Sequence, residues 1–180
     1  EEARLIAPDG SLSEVGPAMT ARPVRGAPIL LPFSGSTALH LSDTGDVTEL
    51  SLEGFDGARW AVADPQDATR GLALHRSGNL LVAFERVGDA LVVRWRSRLA
   101  ANHRRLVRAG DRLWAFGSAD RSIERHNAQT GALEAIYRDP LLDNVEGLVD
   151  LGDGVLVSAF EGHQILRLDL ATGIATEVGK

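Results

Sequence analysis

The sequence predicts an all-β fold assembled from repeated four-stranded antiparallel meanders, and three features support this prediction. Short apolar runs are separated by turn sequences such as Gly152-Asp153-Gly154, which favour antiparallel hairpins. Leucine alternates with other residues over 165–170, as expected for a strand with one buried face. The same unit recurs at roughly 40–45 residues, a spacing typical of the blades of a β-propeller.

Four copies of the unit can be aligned. The clearest copy is formed by residues 146–178. Residues 69–99 and 105–138 repeat its short turn and its alternating third strand, and residues 29–63 form a looser copy. The unequal spacing of the copies places insertions and deletions in the loops. We therefore expect four complete blades, each a four-stranded antiparallel meander.

The blade boundaries follow from this alignment. The first complete blade is expected at 29–64, and the next three begin near Thr69, Arg105 and Val145. Polar stretches would link consecutive blades, at 64–68, 101–104 and 139–144.

The residues before the first complete copy predict an incomplete N-terminal blade. Three strands are expected there, at 3–7, 12–15 and 21–25, with Asp9-Gly10 turning the first hairpin. The innermost strand of this blade would be missing. We thus expect residues 1–180 to form a single propeller domain with four complete blades and one incomplete blade, or a part of a larger ring.

Composition excludes several classes of function. The net charge is −6, whereas a nucleic-acid surface needs clustered basic side chains, and no apolar run reaches the length of a membrane span. The chain has no Cys, so disulfides and thiol chemistry are absent. It begins at Glu1 rather than Met, as a processed secretory precursor or a trimmed chain would, and we expect a periplasmic or secreted protein.

The inward-facing apolar positions of the blades define the predicted core. Replacing Phe84 or Phe160 by Ala should cost about 3–5 kcal/mol, as a large-to-small change in a packed interior does. The predicted core comprises Leu72, Leu74, Leu81, Val82, Phe84, Leu113, Trp114, Phe116, Leu148, Val155, Val157 and Phe160.

Carboxylates are predicted to gather on one face of the propeller. The turns after each second strand and the links between blades lie on the same face, where propellers carry their functional loops around a central channel. Glu85 and Glu161 end the second strand of two blades, and each directly follows a phenylalanine. We expect these two rings to point inward and the two carboxylates to lie near the channel mouth. The turns and links bring further acidic residues to this face, among them Asp43, Asp67 and Glu146.

These carboxylates predict two kinds of chemistry. Several carboxylate oxygens around one channel suit a hard cation such as Ca²⁺, and we expect Asp43, Asp67 and Glu146 to be its ligands. Two neighbouring carboxylates also suit general acid–base catalysis when their pKa values are pushed apart. We expect Glu85 and Glu161 to fill that role.

Structural roles compete with these assignments. Ser42-Asp43-Thr44-Gly45 is a favourable β-turn sequence whatever its function. An ion pair with Arg86 or Arg104 would explain Glu85 and Glu161 equally well. The histidines show no metal-binding spacing, and the sequence contains no GxSxG motif for a nucleophilic serine.

Three segments resemble phytase-like propellers, the family with the esterase-like activity of phytase. Residues 39–50, LHLSDTGDVTEL, resemble the strand–SDxG–strand segment of that family, and residues 67–86 resemble its D-A-E-G-L…G-x-L-L-V-x-F-E-R segment. Residues 144–161 resemble its later EGL…DG…E segment. Arg70 stands where the family pattern has Glu, and the chain is shorter than such domains usually are. More loosely, the EGL pattern is similar to gluconolactonase-like and NHL-type propellers.

The resemblance implies a metal-dependent site formed by Asp43, Asp67, Glu85, Glu146 and Glu161, since the first-strand Glu of the looser relatives can be a metal ligand. Three functions then follow. The first is an extracytoplasmic hydrolase of a small ester or phosphoester, with Ca²⁺ polarising the substrate. The second is a non-catalytic propeller that binds a small molecule or a protein through the same face. The third is a structural subunit whose incomplete blade is completed by a partner strand, giving an oligomer.

Overall fold

The protein is built of β-strands grouped into two compact units. The computed structural model describes residues 2–6, 12–17, 21–23, 29–42, 44–160 and 162–179, with backbone alone for the first three segments. Within these residues there is no helix, and hence none long and apolar enough to cross a membrane. One unit comprises residues 1–76 and 83–94, and the other comprises residues 77–82 and 95–180. The predicted all-β class is confirmed.

Eighteen strands are present in the described residues, and almost all neighbouring strands pair in antiparallel order. In chain order they are β1 (Glu2–Ile6), β2 (Leu12–Pro17), β3 (Ala21–Pro23), β4 (Ile29–Pro32), β5 (Thr37–Leu41), β6 (Val47–Glu53), β7 (Ala58–Asp64), β8 (Asp67–His75), β9 (Leu80–Val87), β10 (Ala90–Arg98), β11 (Arg105–Ala109), β12 (Arg112–Phe116), β13 (Ser122–Asn127), β14 (Leu133–Arg138), β15 (Val145–Asp150), β16 (Gly154–Ala159), β17 (Gln164–Asp169) and β18 (Ala175–Gly179).

The early strands form a hairpin and one large sheet. Strands β1 and β2 pair only with each other, and the next eight strands follow the order β3-β4-β5-β6-β10-β9-β8-β7. This sheet consists of two meanders, β3–β6 and β7–β10, joined through their outermost strands. The join is a short parallel ladder in which Ser51, Leu52 and Glu53 lie opposite Ala90, Leu91 and Val92. The first two meanders therefore share a sheet, whereas the sequence predicted separate blades.

The boundary between these two meanders also differs from the prediction. Residues 58–64 were expected to end the first complete blade, but β7 pairs with β8 and begins the second meander. The predicted link at 64–68 is instead a tight hairpin in which Asp64 lies opposite Asp67. Pro65 at the corner of this hairpin presets the backbone φ angle that a turn requires. Consequently β3 belongs to the first meander, and only β1 and β2 remain of the predicted incomplete blade.

The real boundary is at Gly57. This residue has φ +128°, and a Cβ there would lie 2.3 Å from the carbonyl oxygen of Phe33. The Gly35 N–H donates to the carbonyl of the neighbouring Asp56 at 2.9 Å. Only glycine permits both this φ and this close backbone approach, so the chain can cross from β6 to β7 directly beneath the β4–β5 turn.

The core of the large sheet is centred on Phe84. Its ring is 1% exposed and stacks on Phe55 with a centroid distance of 6.0 Å. A Cβ on Gly71 would lie 2.4 Å from the Phe84 ring, so the glycine in β8 makes room for the ring from β9. Predicted core residues Leu72 and Leu74 are buried nearby on β8.

The later strands form two separate four-stranded sheets, β11–β14 and β15–β18. Both begin where the sequence predicted, at Arg105 and Val145. Their inner strands β11 and β15 lie next to each other. One face of β11–β14 packs on one face of β15–β18 through a shared apolar cluster that includes Trp114, Tyr137, Leu148, Val157, Leu166 and Leu168.

The predicted core is confirmed except at one position. Phe160 is 59% exposed, whereas the other predicted core residues are less than 9% exposed. Strand β16 ends one residue earlier, at Ala159, which pairs with Gln164. Phe160 therefore opens the following turn, where its ring meets His163 edge-on at 5.9 Å. The expected stability loss for Phe160→Ala does not apply to a side chain in this position.

Candidate functional site

Glu85, predicted as a catalytic residue, lies between two arginines. It is near the end of β9, and its side chain is 20% exposed. Arg70 Nη2 donates to one of its oxygens at 3.3 Å, and Arg94 Nη1 lies 3.2 Å from the other. The predicted counter-charge was Arg86, but that guanidinium donates to the Gly88 carbonyl at 3.1 Å. Glu85 is thus held by cations from the two strands beside its own.

Asp67, predicted as a metal ligand, shares Arg70 with Glu85. It begins β8, and Arg70 Nε lies 3.3 Å from its Oδ2. Its Oδ1 accepts hydrogen bonds from the Thr69 hydroxyl at 2.6 Å and from the Thr69 N–H at 3.0 Å. The bond from the Thr69 hydroxyl has the largest effect and lowers the pKa of Asp67 below its ordinary value. The Thr69 N–H and the charge of Arg70 lower the pKa further. The structure therefore brings Asp67 and Glu85 together around an arginine.

Glu146 is also bound to an arginine. It lies in β15 of the second unit, where the Arg105 guanidinium on the adjacent inner strand β11 donates to its carboxylate. The other two predicted site residues, Asp43 and Glu161, lie outside the described residues. Among the residues that are described, no three His, Asp or Glu side chains are grouped so as to hold a metal ion.

A buried polar cluster that the sequence did not predict lies in the second unit. Glu124 on β13 is 1% exposed, and His103 and His126 are fully buried. One carboxylate oxygen accepts from His103 Nε2 at 2.7 Å, and the other lies 3.1 Å from His126 Nε2. The N–H groups of Ala100 and Ala101 donate to the same carboxylate at 3.0 and 3.1 Å. Glu124 therefore ties the link between β10 and β11 to the sheet β11–β14.

The two imidazoles in this cluster differ in their second nitrogen. His126 Nδ1 lies 3.1 Å from the Gly131 carbonyl, so both of its nitrogens face hydrogen-bond acceptors. His103 donates through Nε2, while its buried Nδ1 has no hydrogen-bond partner among the described residues.

The electrostatics of Glu124 reflect two opposing effects. Burial raises its pKa, because a low-dielectric interior disfavours a carboxylate. Hydrogen bonds from His103, His126 and the Ala100 N–H outweigh burial and lower the pKa well below its ordinary value. Glu124 is therefore an ionised, fully hydrogen-bonded group whose role is to hold the surrounding chain in place.

A second polar group adjoins this cluster. Asp120 lies in the turn between β12 and β13. It accepts hydrogen bonds from the hydroxyls of Ser118 in the same turn and of Ser122 at the start of β13. Burial raises the pKa of Asp120, but these two bonds and the charge of His103 lower it overall. The hydroxyls are thus donors to a carboxylate rather than activated nucleophiles.

The repeat itself carried a signal for the buried cluster. Strands β13 and β17 occupy the same place in successive meanders, so Glu124 and His126 align with Leu166 and Leu168. Both leucines are fully buried. Two polar residues at repeat positions that are apolar in the next meander indicate a buried polar site. Because both residues lie inside a strand, this signal is absent from the turns and links.

Comparison with known proteins identifies the architecture. No family model and no curated protein matches the sequence. A catalytically inactive virginiamycin B lyase from Staphylococcus aureus, in complex with quinupristin, is similar in structure over 99% of this chain and 62% of its own, at 13% identity and a TM-score of 0.70. A streptogramin B lyase is similar over 99% of this chain and 61% of its own, at 16% identity and a TM-score of 0.63.

A third similar structure is BamB from Moraxella catarrhalis. The similarity covers 98% of this chain and 49% of BamB, at 18% identity and a TM-score of 0.57. The chain spans about three fifths of the length of the two lyases and half that of BamB. These solved structures are β-propellers, and together with the repeated meanders they show that this chain has a β-propeller fold.

Proposed function

We propose that the chain is a non-catalytic β-propeller module that binds a protein or a small molecule through the face predicted to carry the carboxylates. The observation that supports this is the pairing of the predicted catalytic and metal-binding carboxylates with arginines. Glu85 is held by Arg70 and Arg94, and Glu146 is held by Arg105. A carboxylate that already has a fixed cationic partner gains little from Ca²⁺ and is not poised to exchange protons.

Arg70 is the central residue of this argument. It stands where the phytase-like pattern has Glu, and its guanidinium contacts both Asp67 and Glu85. The replacement exchanges a negative charge for a positive one between two carboxylates. It therefore converts what would be an electronegative cluster suited to a divalent cation into a neutral network of ion pairs.

The basic residues of this chain also suit a binding surface. All of its 19 basic residues except Lys180 are arginines, and Arg70 and Arg94 keep 50% and 60% of their side chains exposed. Arginine is enriched at protein interfaces, because its planar guanidinium can stack and donate several hydrogen bonds at once. A partner could use these exposed edges while the carboxylates hold the guanidinium groups in position.

The competing hypothesis is a hydrolase of a small ester or phosphoester that uses Ca²⁺. It is supported by the resemblance of residues 39–50, 67–86 and 144–161 to phytase-like propellers. In that hypothesis Glu85 and Glu161 would act as acid and base, and Asp43, Asp67 and Glu146 would bind Ca²⁺. The structure places Glu85, Asp67 and Glu146 in ion pairs with arginine, and this favours the binding module.

A thermal shift assay with EDTA, Ca²⁺ or Mg²⁺, combined with a screen of model esters and phosphoesters, tests the proposal. We expect the same melting temperature in all three solutions and no turnover above the buffer rate. The matched variant is Arg70→Glu, which restores the family residue and removes the cation between Asp67 and Glu85. A Ca²⁺-dependent rise in melting temperature in the variant alone would show that Arg70 replaces a metal. A rise in the unmodified chain that Glu146→Gln reduces would contradict the proposal.

Three finer predictions belong to the same proposal. Each of the meanders β3–β6, β7–β10, β11–β14 and β15–β18 corresponds to one blade, within a single propeller domain of residues 1–180 or a part of a larger ring.

A partner strand completes the N-terminal hairpin β1–β2 in an oligomer, which size-exclusion chromatography tests. The protein works in the periplasm or outside the cell, which fractionation of the native cells tests.

A further inference from the structure

The sequence contains three Asp-Gly pairs, and two of them have very different surroundings in the structure. They are Asp9-Gly10, Asp56-Gly57 and Asp153-Gly154, of which the first lies outside the described residues. In such a pair the side-chain carboxyl carbon of the aspartate and the backbone nitrogen of the glycine can approach closely, because glycine has no Cβ to hinder them. An Asp-Gly pair is therefore a place where the main chain can rearrange through the aspartate side chain.

Asp153 is exposed and weakly held. It lies in the turn between β15 and β16, where its side chain is 76% exposed. Gly152 before it has φ +94°, and a Cβ added there would meet nothing within 4 Å. The Asp153 carboxylate forms an ion pair with Arg167 Nη2 at 2.9 Å, and the arginine side chain is itself 43% exposed. An ion pair between two exposed side chains contributes little free energy, so it does not fix Asp153 in place.

Asp56 is held on both carboxylate oxygens and through its backbone. One oxygen lies 2.5 Å from His75 Nε2, and the other accepts from Arg76 Nη2 at 2.8 Å and from Arg76 Nε at 3.2 Å. The Asp56 carbonyl accepts from the Gly35 N–H at 2.9 Å. The glycine that follows, Gly57, is buried. Both partners of the rearrangement are therefore fixed at this pair, although Asp56 itself reaches solvent.

The rearrangement at Asp153 takes place in two steps. In the first, the Gly154 nitrogen attacks Cγ of Asp153, a C–N bond forms, and the carboxyl hydroxyl leaves as water with the amide proton. The product is a five-membered succinimide ring. In the second step water opens the ring at one of its two carbonyl carbons. Opening at Cγ restores aspartate, whereas opening at the main-chain carbonyl gives isoaspartate, in which the chain runs through Cβ and Cγ. One water leaves and one is added, so no other reactant is needed.

The first step requires a neutral carboxyl group that is free to turn toward the next nitrogen. Hydrogen bonds from Arg76 and then from His75 lower the pKa of Asp56 to about 2, so its neutral form is rare at physiological pH. Asp56 would also have to release its hydrogen bonds to both of these residues before its Cγ could meet the Gly57 nitrogen. At Asp153 only the exposed ion pair with Arg167 opposes the same movement.

We propose that Asp153 is a site of isoaspartate formation in the folded protein, and that the contacts of Asp56 protect it from the same reaction. The product adds one methylene group to the main chain of the β15–β16 turn and takes the carboxylate away from Arg167. The new carboxylate has the chemistry that isoaspartyl methyltransferases recognise, so this turn is a substrate for methylation of that class. The modification site does not depend on the proposed binding function.

Ageing of the purified chain at neutral pH and physiological temperature tests the proposal. Peptide mapping with electron-transfer fragmentation distinguishes isoaspartate from aspartate at each position, and transfer of a labelled methyl group by an isoaspartyl methyltransferase gives a second readout. The matched control is Asp153→Glu, which keeps a carboxylate near Arg167 but would have to close a six-membered ring. The substitution is at an exposed position. A parallel incubation in concentrated guanidinium chloride removes the protection that the fold gives to Asp56.

In the folded chain we expect isoaspartate to form at Asp153 at least about tenfold faster than at Asp56, a modest difference in barrier height. In guanidinium chloride the two positions should react at similar rates. The Asp153→Glu variant should show no isomer at position 153 and should accept fewer methyl groups than the unmodified chain. Equal rates at Asp56 and Asp153 in the folded chain would overturn the proposal. So would a folded chain that forms no isoaspartate at Asp153 while the unfolded chain does.

Discussion

The sheets β11–β14 and β15–β18 have the same topology and the same closing turn, yet they differ at two buried positions. In both, a side-chain oxygen at the end of the third strand accepts from two backbone N–H groups and a threonine hydroxyl: Asn127 with Thr130, and Asp169 with Thr172. Between these matching elements, Glu124 and His126 stand where the later sheet has Leu166 and Leu168. The repeat therefore preserves the backbone and the turn while the interior chemistry changes.

The polar and apolar residues at these two positions match the groups that surround them in each sheet. Leu166 and Leu168 face the apolar cluster between the two sheets and need only fill space. Glu124 and His126 are on the face of β11–β14 that meets the link from β10, where the N–H groups of Ala100 and Ala101 need an acceptor. The Glu124 carboxylate accepts both hydrogen bonds, which a leucine at this position could not do.

Placing a carboxylate in the apolar interior of β15–β18 should cause the largest loss of stability. Leu166→Glu places a carboxylate among aliphatic side chains, without the histidines and N–H groups that Glu124 has. We expect a loss of at least about 5 kcal/mol, since an unpaired buried charge keeps its full desolvation penalty. Urea unfolding followed by circular dichroism measures this, with Leu166→Met as the volume-matched control, which should cost less than about 1.5 kcal/mol. A stable Leu166→Glu variant would mean that β17 is not buried as described.

Removing the Glu124 carboxylate from β11–β14 should cause the second largest loss of stability. Glu124→Ala leaves His103, His126 and two N–H groups without their acceptor, and we expect a loss of about 3–5 kcal/mol. Amide exchange at Ala100 and Ala101 should accelerate more than exchange elsewhere in the second unit. Glu124→Gln keeps one acceptor oxygen and should cost about 1–3 kcal/mol. Unchanged exchange at the two alanines in both variants would show that Glu124 does not hold the link.

The sequence predicted the meander, the turns and most of the core, because these depend on local patterns that repeat. Leu166 and Leu168 alternate with Arg167 and Asp169, for example, and alternation determines which face is buried. Phe160 was misplaced because it directly follows a strand end, and one residue of difference in strand length decides whether a side chain is inside. The boundary at Gly57 depends on its close approach to Phe33, a contact between distant loops that no local pattern encodes.

The candidate site was less predictable, since it depends on which partners the fold supplies. Glu85 was predicted as a catalytic residue, with an ion pair to Arg86 or Arg104 as the alternative, and the structure pairs it with Arg70 and Arg94 from neighbouring strands. Glu124 was not predicted because it lies inside a strand, whereas the predicted site residues were chosen from turns, links and strand ends. The aligned leucine in the next repeat is the signal that would have identified it.

Lowering the pH should reduce the difference in stability between the unmodified protein and the variant Glu124→Gln. The pKa of Glu124 is lowered in the folded protein relative to its ordinary value of 4.5. A lowered folded-state pKa gives stability that is fully present above the ordinary value and is lost as the pH falls toward the folded-state pKa. We therefore expect the unfolding free energies of the unmodified protein and Glu124→Gln to converge below about pH 4.5. Urea unfolding at several pH values measures this, and a constant difference from pH 7 to pH 3.5 would contradict it.

Exchanging the matching turn residues should have the smallest effect. Asn127→Asp and Asp169→Asn each keep the side-chain oxygen that accepts from the turn, and both turns are exposed. We expect each change to alter stability by less than about 0.5 kcal/mol. Asn127→Ala and Asp169→Ala are the controls and should cost about 1 kcal/mol each, as the loss of a capping acceptor does. If the two exchanges cost as much as the alanine changes, the turns would not be equivalent.

The parallel ladder between β6 and β10 has a consequence for the fate of the chain in a cell. An outer strand with unpaired N–H and C=O groups is a template on which other polypeptides add, and this is how many β-proteins aggregate. Strand β10 begins with Ala90, Leu91, Val92 and Val93, an apolar and β-branched segment of the kind that stacks into fibrils. Here the first three of these residues pair with β6 of the same molecule. A mutation that loosens this short ladder should therefore be seen first as insoluble protein, before any fall in melting temperature.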